Sequence, residues 1–262
     1  MSVAVLVPPR RLLPRLGEGW TMAAAVVGLI AVLWLLPIPL QVLPDPIGPS
    51  ARQLGEGARA TVTLTLASGA LGLMIGVLGA LGRLSKWQAV RWLAAFYIWA
   101  VRGTPLIVQI LFVYFALPAL LPGLRLSDYW SAVVALSINV GAYNAEIIRA
   151  GIQSVPEGQV EAAKALGLRA LQILRAIVLP QALRVALPPL VNNAVALLKD
   201  SSLAYVIGVV ELSLIGNSIQ AESFQPVPVF ITVAGIYLLL TTFLSWFSSA
   251  LERRMNQSRR GH

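Results

Sequence analysis

Apolar runs of about twenty residues, the length a helix needs to cross a bilayer, recur along this chain of 262 residues and constrain it more than any other feature. In hydrocarbon every backbone polar group must find its partner within the protein, so such runs fold as helices. Hydrophobic residues make up 57% of the sequence and charged residues only 12%, outside the range of soluble domains. The runs predict an all-α integral membrane protein of about six transmembrane helices. They lie at about 20–40, 57–81, 92–117, 129–149, from Pro188-Pro189 onward, and about 227–251.

The first run follows Arg10, Arg11 and Arg15 but is too long for the apolar part of a cleaved signal, so it is read as a retained helix. Pro44, Asp45, Pro46 and Pro49 make 41–52 a bend. Small residues dominate the second run, which lets helices approach closely. In the third, Arg102-Gly103-Thr104-Pro105 predicts a kink, because Pro105 has no N–H for the carbonyl one turn earlier. About 211–225 reads as a polar outer stretch. Of the 20 Lys and Arg, all but Arg52, Arg59, Arg102, Arg125 and Lys199 fall on the side of both termini, which the distribution of basic residues makes cytoplasmic. Topology thus accounts for most of the net charge of +9, and nucleic-acid binding is not expected.

Covalent chemistry is not expected of this chain. No G-x-x-x-x-G-K-[ST] loop surrounds Lys86, Lys164 or Lys199, so ATP is not bound in the P-loop manner. One histidine, His262, and no cysteine leave no metal cluster, and the serines near glycines lack the spacing of a nucleophile elbow. What remains are polar side chains inside spans, costly unless they pair or face a cavity. Arg102, Thr104 and Gln109 form one cluster, and Asn139, Tyr143 and Glu146 share a helix face. Lys199, Asp200, Ser201 and Ser202 read as a helix break with Asp200 or Ser201 capping the next half-helix, a device for holding a charged solute. Structural alternatives stand beside these: Arg102 stabilising the kink, Glu146 pairing with Arg149, and Asn139 in an interhelix hydrogen bond.

Between the fourth and fifth runs lies a polar-rich island, 154–180. Ser154 and Glu157 stand at capping-box spacing, so a helix is expected to begin there and to end at Gly167, a residue able to turn left-handed. A second short helix, apolar through Leu168, Leu171, Ile173, Leu174 and Ile177, is expected to stop at Pro180. Glu161-Ala162-Ala163, Gly167, Ile177 and Leu179-Pro180 together spell E-A-A-x3-G-x9-I-x-L-P. By that pattern the chain resembles the membrane subunits of ATP-binding-cassette importers; an amphipathic loop lying on the membrane surface is the alternative. Arg102-Gly103-Thr104-Pro105-Leu106 with Gln109, Gly141-Ala142-Tyr143 with Ala145-Glu146, Leu179-Pro180-Gln181-Ala182 with Arg184, and the stretch 198–203 narrow the resemblance. They are similar to permeases for polar amino acids of the histidine, glutamine, arginine and glutamate type.

The resemblance implies a five-helix importer core at 53–252, preceded by an extra helix within 1–52 and followed by a basic tail at 253–262. It implies that Glu161, Ala162, Ala163, Gly167, Ile177, Leu179 and Pro180 couple to an ATPase. Two cytoplasmic ATPase subunits would hold ATP and Mg, with no cofactor in this chain. A second permease, identical or homologous, and an extracytoplasmic solute-binding protein would complete an importer of amino acids, multi-pass in a bacterial cytoplasmic membrane. A secondary transporter driven by an ion gradient, with Glu146 and Asp200 as ion sites, is the competing reading.

Overall fold

The computed structural model describes residues 18–257; Arg10, Arg11, Arg15, Arg259, Arg260 and His262 lie outside it. Among the described residues the elements are helices: α1 (Glu18–Leu35), α2 (Ile47–Arg83), α3 (Gln88–Arg102), α4 (Leu106–Leu120), α5 (Asp128–Gln153), α6 (Glu157–Ala165), α7 (Ala170–Ile207), α8 (Leu212–Ser223) and α9 (Pro226–Gln257). α2, α5, α7 and α9 are each long and apolar enough to cross a membrane, and α3 with α4 makes one further span bent by 110°. Among the described residues that makes four such helices, or five spans with the bent pair. The expected first span corresponds to α1 and the one-turn helix Pro37–Leu40 that follows it after Leu36.

α2 starts at Ile47, ten residues before the expected span, since Pro49 falls in the first turn where a missing N–H costs nothing. Ile47, Ala51, Leu54, Ala58 and Val62 then recur at helical spacing and are buried with Leu36, Leu40, Leu212, Val229, Val233 and Ile236 in one core. Residues from both sides of position 53 therefore share a core. Lower on α2 the small residues do what their composition predicts. A Cβ at Gly76 would lie 2.5 Å from that of Asn144, so α2 and α5 pack closer than side chains would permit. Around this contact Leu64, Ile110, Val133, Leu136, Val140, Leu197 and Ala204 form a second core.

The prolines direct the chain according to what takes the carbonyl each one frees. Pro37 cannot donate to Leu33; Arg59 on α2 does so instead at 3.1 Å, its guanidinium 5.2 Å over the Trp34 ring, which ties α1 to the bundle. Pro118 and Pro180 each follow a π turn, Phe112–Ala116 and Leu174–Val178, that shifts the hydrogen bonding by one residue. Contrary to expectation, Pro180 therefore does not end a helix. α7 runs on through Pro180, Pro188 and Pro189, so this span begins before the proline pair and not after it. Nor does it break at Lys199–Ser202. Asp200 and Ser201 are helical, neither caps, and the helix tightens into a 3-10 turn, Ser201–Ile207. The stretch 211–225 is α8, with Glu211 as its N-cap.

Candidate functional site

At the α3–α4 bend Pro105 frees the Val101 carbonyl, and Gln109 Nε2 donates to it at 2.7 Å and to Thr104 Oγ1 at 2.9 Å. Thr104 Oγ1 in turn donates to the Ala100 carbonyl at 2.9 Å. Gln109 Oε1 accepts from Asn139 Nδ2 on α5 at 3.0 Å, while the Arg102 guanidinium lies 5.1 Å over the Tyr143 ring. Two clusters that sequence kept apart are thus one network. Its open side faces α7 across a cavity of about 340 Å3, lined by Thr104, Asn139, Tyr143, Asn193 and Asp200 among its polar groups. Asp200 is the one charged residue among the described lining.

Other expected path residues stand elsewhere. Glu146 receives Arg149 Nη2 at 2.6 Å, and Arg83 Nε lies 3.8 Å from its second oxygen, so its charge is engaged within the bundle. Lys199 is exposed and Ser202 half-buried, and neither lines the cavity. Ser201 is fully buried, donates to the Leu198 carbonyl at 2.8 Å and meets Thr65 of α2, on the far side of α7. Asn144 is a buried residue that sequence reasoning passed over: its Oδ1 accepts from Asn193 Nδ2 at 2.8 Å, holding α7 to α5 beside the cavity. Its only signal was an amide next to Tyr143, which does not disclose a partner on another helix.

The connection between α5 and α7 follows local rules more closely. Gly167 adopts φ +77 and completes a Schellman motif, with Leu168 N donating to the Ala163 carbonyl at 3.1 Å and Gly167 N to that of Lys164 at 2.9 Å. The expected capping box is absent: Ser154 Oγ donates back to the Gly151 carbonyl at 2.7 Å, and Pro156 occupies the N-cap of α6. Ala163 is buried, Ile177 half-buried, and Glu161, Ala162, Gly167, Leu179 and Pro180 are exposed. Leu166 is 82% exposed, and Leu171 and Leu174 also project from this end of the bundle. Apolar side chains rimmed by Glu161, Lys164 and Arg169 make a surface suited to a groove on another protein.

A helical bundle of membrane length, with a polar cavity between its spans and short helices projecting from one end, defines a membrane component of a transport assembly. The chain belongs to the family of binding-protein-dependent transport system inner membrane components, matched over residues 72–257. It is 42% identical over 209 residues to the glutamine transport system permease protein GlnP of Escherichia coli (strain K12), covering 80% of this chain and 95% of that protein. It is 40% identical over 205 residues to the L-cystine transport system permease protein TcyB of Bacillus subtilis (strain 168), covering 78% and 87%. Among solved structures, an amino acid ABC transporter with histidines superposes with TM-score 0.73 at 36% identity, over 79% of this chain and 95% of that one. The MetNI methionine ABC transporter in an inward-facing conformation shares the fold, with TM-score 0.67 at 21% identity over 81% of this chain and 99% of that one.

Proposed function

We propose that this chain forms the translocation path of an ATP-driven amino-acid importer. The observation that supports this reading most directly is the convergence of Thr104, Asn139, Tyr143, Asn193 and Asp200 on one cavity in a chain of this family. An amino acid brings an ammonium and a carboxylate into a low-dielectric path, so each needs a partner there. Asp200 takes the ammonium. The carboxylate is met by the second N–H of the Asn193 amide, with the Arg102 guanidinium stacked on Tyr143 close by. With a carboxylate as the cavity's charged group, neutral and cationic amino acids are favoured over dicarboxylic ones. The 53–252 core, both termini and the α5–α7 connection facing the cytoplasm, and the coupling role of Glu161, Ala162, Ala163, Gly167, Ile177, Leu179 and Pro180 are parts of the same proposal. Two ATPase subunits dock at the two connections of a permease pair, and an extracytoplasmic binding protein delivers solute at the opposite face. Engagement of Glu146 by Arg149 and Arg83 removes one of the two ion sites that a gradient-driven transporter would need.

The test is uptake of radiolabelled L-glutamine, L-arginine and L-glutamate into vesicles holding the assembled importer. Uptake should require internal ATP, and Asp200→Asn should raise the half-saturating concentration about tenfold, the worth of one charge-assisted hydrogen bond, while assembly and basal ATP hydrolysis persist. An unchanged half-saturation would remove the cavity as the solute site; uptake on an ion gradient without ATP would overturn the whole reading.

A further inference from the structure

Glu211 is fully buried, outside the cavity, and holds more hydrogen bonds than an N-cap requires. Its Oε1 accepts from Leu214 N at 2.9 Å, the ordinary capping contact. Its Oε2 accepts from Thr61 Oγ1 of α2 at 3.3 Å and from Tyr237 Oη of α9 at 2.8 Å, and Tyr237 lies 3.0 Å from Ser213 Oγ. Thr61 also accepts from Leu212 N at 3.2 Å. One turn along the same face of α2, Thr65 Oγ1 lies 3.5 Å from Ser201 Oγ and donates to the Thr61 carbonyl at 2.8 Å. The 211 end of the segment 201–211 is therefore hydrogen-bonded to Thr61, and the 201 end packs against Thr65 on the same face, with the Thr65 and Ser201 hydroxyls donating within their own helices. Between those ends lie only the 3-10 turn Ser201–Ile207 and a reversal at Gly208, φ +86, so little slack separates the two anchors. Asp200 enters the cavity immediately before the first anchor.

We infer that Glu211, acting through Thr61, is a positioning residue for the solute cavity: with the Thr65–Ser201 contact it clamps segment 201–211 to α2 and sets where Asp200 stands. The inference rests on the cavity being the solute site. A buried carboxylate is costly unless donors surround it, and here the donors come from α2, α8 and α9, so losing it frees three helices at once.

The experiment is ATP-dependent uptake by the assembled importer of L-glutamine or L-arginine, whichever the unaltered complex takes up faster. Glu211→Ala and Thr61→Val should each raise the half-saturating concentration about tenfold and change the maximal rate less. Glu211→Gln should recover most of the affinity, because its amide keeps an acceptor for Leu214 N and the Thr61 and Tyr237 hydroxyls can reverse. Ser137→Ala is the control for stability alone. It removes another buried hydroxyl, which donates to Val133 at 2.6 Å and reaches the Ser68 carbonyl of α2 at 3.2 Å, and it should lower thermal stability without moving half-saturation. Should Glu211→Ala fail to assemble, Thr61→Val decides. Half-saturation within about twofold of the unaltered complex in Thr61→Val, or an equal shift in Ser137→Ala, overturns the inference. Asp200→Asn run in parallel separates the two readings: a shift there without one at Glu211 and Thr61 removes the clamp and keeps the cavity, and no shift at Asp200 removes the cavity as the solute site and the positioning role with it.

Discussion

Pro105 and Pro180 delete the same donor, yet the chain turns by 110° at the first and runs on as one helix through the second. At Pro105 the freed Val101 carbonyl is taken by the Gln109 side chain, and the backbone from Gly103 to Pro105 leaves the helix. At Pro180 the π turn Leu174–Val178 lets Leu179 N donate to Leu174, Gln181 Nε2 donates to the Ile177 carbonyl of that turn at 3.0 Å, and the helix axis continues. A proline thus states that a carbonyl will be released, and the surroundings decide whether the helix bends or rewinds. The difference suits the two places. The bend opens a wall for the cavity, whereas the rewound helix joins the projecting connection rigidly to Asp200.

The largest effect is expected at the far end of that rigid joint. Gly167→Asp should abolish uptake while the protein still inserts. The left-handed backbone at φ +77 costs a side chain about 1–2 kcal/mol, and nothing lies within 4 Å of the new Cβ. The loss must then come from an excluded partner, and ATPase subunits should no longer co-purify. Normal co-purification with normal uptake would show that this surface docks nothing.

Pro180→Ala tests the rewound helix itself. With an N–H restored, the π turn can relax to an α-helix, rotating the connection by roughly 100° about α7. Uptake should fall by at least about tenfold while the complex stays assembled and hydrolyses ATP, the signature of lost coupling. Unchanged uptake would mean that the π turn is held by tertiary contacts and not by the proline.

The smallest effects belong to the bend, as a pair. Gln109→Leu strands the Val101 carbonyl and the Asn139 amide, and should lower stability by about 1–3 kcal/mol, read as a fall in the thermal midpoint of the purified complex. Pro105→Ala should change it by less than about 1 kcal/mol, because Gln109 still holds the turn. A larger loss in Pro105→Ala than in Gln109→Leu would assign the bend to the proline and erase the contrast drawn with Pro180.

The sequence by itself determined the helical class, the position of most spans and the left-handed stop at Gly167. Hydrocarbon leaves an apolar backbone no other way to satisfy itself, and a positive φ selects its residue locally. Ser154–Glu157 and Lys199–Ser202 matched local patterns equally well and were overridden. Ser154 closes α5 instead of opening α6, and Ser201 turns toward Thr65 instead of capping a half-helix. Only the tertiary structure decided that Arg102, Thr104 and Gln109 meet Asn139 and Tyr143, that Asp200 faces them, and that Glu211 is buried against Thr61. These partners stand 30 positions apart at Gln109–Asn139 and 150 at Thr61–Glu211. Sequence spacing reports neighbours along one helix, whereas the partner of a buried polar group is set by which helices the apolar faces bring together.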